Sequence, residues 1–279
     1  MLKIEKTDIH GWEAAIRGTR NSFNSWDKSD SEFLTSDCDH HDIMGNSGPW
    51  HGGDGWDEMI IGPNDADLMK KLAKAGPSHA KYRRFITVTM DVTGPMYWWK
   101  EMDTYKVGTV GNSCSTMHKI AAKEFTLDDF SYEHLGVIVP AELNDGIEVF
   151  QNLWIESLKR TIEDLNIARC SYIREQNSDL KKKYWWQMIQ LLPSSYNQKR
   201  TLLVNYEVLS NIYHQRKEHR LDEWKTFCKW IEGLPMSEII TGKETGINSE
   251  TVEKLVDCGN GYPISPEECH DLMKGESND

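Results

Sequence analysis

Residues 145–174 place a large side chain every three or four positions, through Ile147, Phe150, Trp154, Leu158, Thr161 and Leu165. An α-helix turns once in about 3.6 residues, so this spacing predicts one long helix with a single stripe to bury. Such a helix needs an apolar partner, because packing rather than propensity stabilises most helices in water. The period changes over residues 85–92, Phe-Ile-Thr-Val-Thr-Met-Asp-Val, where β-branched side chains alternate with others and predict a strand. Both periods in one chain of 279 residues predict an α+β protein able to bury a substantial core.

The rest of the chain fits this class. Strands are expected at residues 1–7 and 198–204, and helices at 11–20, 64–75, 95–102, 113–123, 181–191, 205–217 and 221–232. Asn64 is expected to cap the second of these helices, with Gly76-Pro77 ending it. Residues 22–63 break the pattern with Gly, Asp, Ser, Asn and His, and read as a long loop insertion. After residue 240 polar residues accumulate, so the expected organisation is one domain over 1–240 and a polar tail over 241–279, with one short helix near 250–256.

Composition excludes some functions. No apolar run reaches the roughly 20 residues that span a bilayer, and the first residues lack the apolar core of a signal peptide. A cytoplasmic protein with no membrane partner is the expectation. A net charge of −12 argues against a nucleic-acid partner. The cysteines, Cys38, Cys114, Cys170, Cys228, Cys258 and Cys269, form no Cys-x-x-Cys pair and are expected to be free thiols. Asp37-Cys38-Asp39-His40-His41-Asp42, with His51 and Asp54, has ligand types suited to zinc, as do Cys258, Cys269 and His270. Neither has an ordered ligand spacing, and no metal site is assigned.

Three constellations carry chemistry. Lys70, Lys71, Lys74, His79, Lys81, Arg83 and Arg84 surround a Gly-Pro-Ser turn and can hold phosphate, or can simply form a solvated helix end. Residues 108–118 lead small hydroxyl side chains into a helix N-terminus, which suits an anion or a plain N-cap turn. Asn205, Asn211 and Arg216 are polar positions on an otherwise apolar helix, where the arginine offers a planar fork to a carbonyl pair or carboxylate. The best site candidate therefore combines residues 97–118 with 191–216.

Together these stretches resemble the flavin-dependent thymidylate synthase (ThyX) family. Its signature, Arg-His-Arg-x-x-Ser-x-Asn-Glu-x-Ser-x-Arg-Tyr, follows a strand, a proline and a Trp-bearing helix. Here residues 85–92, Pro95 and Trp98-Trp99 come in that order, and Asn112 and Ser115 fall on the signature's Asn and second Ser. Leu192-Pro193, Asn205, Asn211 and Arg216 match the family's downstream segment without a gap. The signature's Arg-His-Arg is replaced by Thr104-Tyr105-Lys106 or, shifted by one residue, by Tyr105-Lys106-Val107, its Glu by Ser113 and its Arg-Tyr by Met117-His118. Ile189 and Glu207 stand where the family has arginines.

The resemblance implies an antiparallel sheet flanked by long helices, and reductive methylation of dUMP with FAD, NADPH and methylenetetrahydrofolate, or a related pyrimidine-nucleotide modification. It implies that Arg216 and Ser115 are catalytic, that Ser113, Ser115, His118, Lys199 and Arg216 hold the nucleotide, and that Ser78, Lys81, Arg83, Tyr105, Lys106, Asn205 and Asn211 hold the flavin. It also implies a homotetramer. The alternatives are a non-catalytic nucleotide-binding relative that has lost the flavin, and a metal-dependent nucleotide enzyme using His40 and His41.

Overall fold

The computed structural model describes residues 2–34, 58–136 and 147–243. Along the chain run β1 (Lys3–His10), α1 (Trp12–Asn21), β2 (Glu32–Leu34), β3 (Glu58–Ile60), α2 (Pro63–Lys74), β4 (Thr87–Pro95), α3 (Met96–Met102), β5 (Val110–Ser113) and α4 (Thr116–Lys119). There follow α5 (Ile147–Arg174), α6 (Ser178–Leu191), β6 (Asn197–Asn205), α7 (Tyr206–Arg216), α8 (Asp222–Glu232) and α9 (Glu238–Thr241). Single 3-10 turns occupy Trp26–Lys28, Lys81–Arg84 and Leu127–Asp129. The class is α+β, as the two periods require.

Four strands form an antiparallel sheet in the order β1-β4-β6-β5. Alternation along β4 buries Val88, Met90 and Val92, and the register sets Val88 opposite Val204 and Met90 opposite Leu202. That face packs in one core with Ile16, Met69, Trp98, Trp99, Leu209, Ile212, Trp224, Phe227 and Ile231. The adjacent Trp98 and Trp99 are both fully buried there.

A second core joins α5 to α6. It contains Leu158, Ile162, Leu165 and Ala168 of α5, Met188 of α6, and Ile120, Phe125 and Phe130. Trp154, expected on the buried stripe, is 61% exposed. Helix length explains this: at about 1.5 Å per residue, the 14 residues of α6 reach half as far as the 28 of α5. The helix expected over 113–123 shrinks to Thr116–Lys119. Beyond it the backbone bonds instead to α5: Phe125 N–H donates to Asn166 Oδ1 at 2.9 Å, Asn166 Nδ2 donates to Phe125 O at 2.8 Å, and Arg169 Nε donates to Ala121 O at 3.1 Å.

The segment 22–63, expected as a long loop insertion, is tied down at both ends. β2 and β3 pair antiparallel, with Phe33 opposite Met59. Helix α2 begins at Pro63 rather than Asn64, and its cap comes from elsewhere in the chain. The Asp30 carboxylate accepts the N–H groups of Asn64 and Asp65 at 2.9 and 3.0 Å. The buried Asp65 carboxylate returns the contact. It accepts the N–H groups of Asp30 and Ser31, the hydroxyls of Ser29 and Ser31, and the Arg20 guanidinium at 2.7 Å. Burial alone would raise the Asp65 carboxyl, but the Ser29 and Ser31 hydroxyls and Arg20 outweigh it and hold it below its ordinary value. Gly62 permits this close approach, since a Cβ there would lie 2.2 Å from the Asp30 carboxyl carbon.

The metal-type residues at 37–54 and 258–270, and the short helix expected at 250–256, lie outside the described residues. Among the described residues no group of His, Cys, Asp and Glu could hold a metal ion, and no helix is long and apolar enough to cross a membrane. Cys114, Cys170 and Cys228 are free thiols, and burial pushes the Cys228 thiol up to about 11.

Candidate functional site

Helix α7 organises the candidate site. It starts where β6 leaves the sheet, and Asn205 caps it by accepting the Val208 N–H at 3.0 Å. The connection between α3 and β5 seats Gly108 against this cap: its φ is +80°, and a Cβ would lie 3.0 Å from Val208 Cγ2 and 3.1 Å from Asn205 Nδ2. Asn205→Ala is expected to cost about 1 kcal/mol of stability, while Asn205→Asp keeps the cap; urea unfolding of both variants checks this.

A cavity of about 660 Å³ opens between α2, α7 and α9, within the size range of small-molecule sites. Asn211, His214 and Gln215 line it from α7, Lys70, Lys71 and Lys74 from α2, and Lys243 from just beyond α9. Its lining carries five lysines and arginines against three carboxylates, so it is locally cationic in a chain of net charge −12. Lys70 lies 3.7 Å from Glu238. Lys243 is bonded to Glu232, which with the Tyr213 hydroxyl raises its ammonium above the usual lysine range. At the nearly buried edge, Arg83 donates to Ser210 Oγ at 3.2 Å and lies 3.5 Å from Glu207. Glu207, where the sequence resemblance expects an arginine, thus has an arginine as its partner.

Arg216 ends α7. It is five residues beyond Asn211, some 140° further around a helix that advances about 100° per residue. Its guanidinium donates to Glu101 Oε2 at 2.9 Å and to Tyr105 Oη at 2.8 Å, and lies 5.0 Å from the Trp224 ring centroid. The same Glu101 oxygen accepts Trp224 Nε1 at 2.9 Å, with His219 Nε2 at 3.3 Å. Tyr105 Oη in turn donates to Gln215 Oε1 at 3.0 Å. Gln215 therefore connects the Arg216 cluster to the cavity.

The residues singled out in the sequence fall in separate places. Arg83 and Asn211 line the cavity, and Tyr105 and Arg216 adjoin it through Gln215. Asn205 is the α7 cap. Ser78, Lys81 and Lys106 are exposed outside the cavity lining. Ser113 is exposed on the edge strand β5, and Ser115 accepts the His118 N–H at 3.0 Å as the cap of the four-residue α4. Lys199 pairs with Asp91 at 3.0 Å on the sheet face opposite Val88, Met90 and Val92. Sequence reasoning missed Glu101, His214, Gln215 and Trp224. His214 and Gln215 lie within the singled-out stretch 191–216 and Glu101 within 97–118, but no motif marks them.

No protein-family model and no curated protein matches the chain. Solved structures do. Flavin-dependent thymidylate synthase ThyX from Helicobacter pylori, complexed with FAD and dUMP, aligns with a TM-score of 0.53 at 14% identity, covering 86% of this chain and 97% of that one. A second structure of the same enzyme, also with FAD and dUMP, gives a TM-score of 0.52 at 13% identity with the same coverage. The chain has the fold of the flavin-dependent thymidylate synthases. The UMP/dUMP methylase PolB from Streptomyces cacaoi, bound with 5-Br dUMP, shares this ThyX-like fold. It aligns with a TM-score of 0.52 at 14% identity over 87% of this chain and 95% of its own.

Proposed function

We propose that this protein binds a pyrimidine nucleotide and a flavin, and modifies the pyrimidine in the manner of the reductive methylation of dUMP to dTMP. The observation that carries this reading is the cationic cavity beside Asn211 and Arg216, in a fold whose solved members hold FAD, dUMP or a brominated dUMP. The donor set fits a flavin nucleotide. Lys70, Lys71, Lys74 and Lys243 would neutralise phosphate charge, and Asn211, His214 and Gln215 offer hydrogen bonds to a ring edge. When bound, the flavin supplies the redox chemistry, with NADPH and methylenetetrahydrofolate as proposed co-substrates. The protein's own part is to orient the ring and place positive charge near it. Assembly as a homotetramer and a cytoplasmic location belong to the same proposal.

One observation favours a second reading, a nucleotide-binding relative without flavin chemistry. Arg216, the expected pyrimidine contact, is engaged by Glu101 and Tyr105. Two measurements separate the readings. Protein purified with, or incubated with, excess FAD is expected to show the flavin's visible absorption bands after gel filtration, and calorimetry is expected to detect dUMP. Colourless protein that binds dUMP selects the second reading, and protein that binds neither rejects both.

A further inference from the structure

We propose that His214 and Gln215 read an imide edge, an N–H beside a carbonyl, in the ligand of the cavity between α2, α7 and α9. This rests on the nucleotide and flavin reading above and specifies what the cavity recognises. Two hydrogen-bond directions settle what these side chains present. His214 Nδ1 lies 2.8 Å from the Ser210 carbonyl oxygen, which can only accept. The ring proton is therefore on Nδ1, and in the neutral ring Nε2 is an acceptor.

Gln215 is oriented by a relay that begins at an obligate donor. A guanidinium has no acceptor, so the Tyr105 oxygen accepts from Arg216 Nε, and its one hydrogen goes to Gln215 Oε1. With its oxygen occupied, the Gln215 amide is left with its N–H groups. No other described residue accepts them, and the side chain lines the cavity. One helix thus offers the cavity an acceptor and a donor from consecutive residues. A uracil ring carries the complement, N3–H beside C4=O, and the flavin ring carries the same imide. Cytosine inverts it, with a bare N3 beside an amino group. Arg216 and Tyr105 act here as positioning residues, with Glu101 and Trp224 holding the guanidinium in place.

The test is calorimetry on the full chain with dUMP, dCMP and N3-methyl dUMP, and with FMN and N3-methyl FMN. For whichever parent binds, N3-methylation is expected to weaken wild-type binding about tenfold or more, the loss of one hydrogen bond with its partner left unpaired. dCMP is expected to bind at least tenfold more weakly than dUMP. In His214→Phe the parent and its N3-methyl derivative should bind alike, and Gln215→Leu should weaken the parent about tenfold. Tyr105→Phe, which frees the amide to rotate, should cause a smaller loss. Both α7 positions are exposed, so unchanged circular-dichroism melts verify folding.

If dUMP alone shows the N3 sensitivity the edge belongs to the nucleotide, and if FMN alone shows it the edge is the flavin's. Wild-type binding of dUMP or FMN with no N3 sensitivity, or with none of the variant effects, overturns this inference and leaves the proposed function standing. If neither parent binds, both fall.

Discussion

Asp65→Ala is expected to lower the unfolding free energy by about 3–5 kcal/mol, the usual cost of leaving a buried ionic partner uncompensated. Arg20, itself buried, would lose its counter-charge, and two hydroxyls and two backbone N–H groups would lose their acceptor. For a domain of this size the melting temperature should fall by on the order of 10 °C. A double variant, Arg20→Met with Asp65→Leu, should recover much of the loss, because it leaves no charge unpaired. A fall of less than about 1 kcal/mol in Asp65→Ala would show that Asp65 is not the clamp described above. The pH dependence follows from the direction of the shift. The folded-state carboxyl titrates below its ordinary value, so its contribution is fully present above the unfolded value of about 4 and disappears as the pH falls through the folded one. The gap in stability between wild type and Asp65→Asn should therefore narrow on acidification below about pH 4.

Arg216→Ala is expected to weaken dUMP binding by about a hundredfold or more, equivalent to roughly 2.7 kcal/mol. The substitution removes the donors to Glu101 and Tyr105 and the cation stacked on Trp224, and with them the relay that orients Gln215. Arg216→Lys should restore little, because an ammonium cannot make the two directed bonds at once. Glu101→Gln separates two roles of the arginine. Should Arg216 reach the nucleotide directly, weakening its hold on Glu101 would strengthen dUMP binding. Should it act only through Tyr105 and Gln215, the same change would leave affinity unchanged or reduce it. Calorimetry of the three variants distinguishes these outcomes, and dUMP binding in Arg216→Ala at wild-type affinity would remove Arg216 from the site altogether.

Much of the architecture was legible because it depends on local period. The alternation over 85–92 became a central strand, and the spacing in 145–174 became a 28-residue helix. Helices α7 and α8 fell within a residue of where the sequence placed them. The resemblance to the flavin-dependent thymidylate synthases rested on the order of elements and a few polar positions, and the solved structures share that fold. Failures came where a distant segment supplied the deciding interaction. Asn64 looked like a cap, but Asp30 performs that role from 34 residues away. Residues 120–123 looked helical, but the Ala121 carbonyl accepts from Arg169 and the next backbone, at Phe125, pairs with Asn166.

The candidate site divides in the same way. Sequence alone determined that α7 carries Asn205, Asn211 and Arg216, because helix period and capping chemistry are properties of neighbouring residues. Only the tertiary structure decided that Arg216 faces Glu101, that Tyr105 hands its hydrogen to Gln215, and that His214 keeps its proton on Nδ1. Two of these bonds join residues more than a hundred positions apart. Even the short-range bond of His214 gains its meaning from the cavity that α2 and α9 close around it. A hydrogen-bond direction depends on which donors and acceptors meet in space, and residue spacing in one segment carries no record of that.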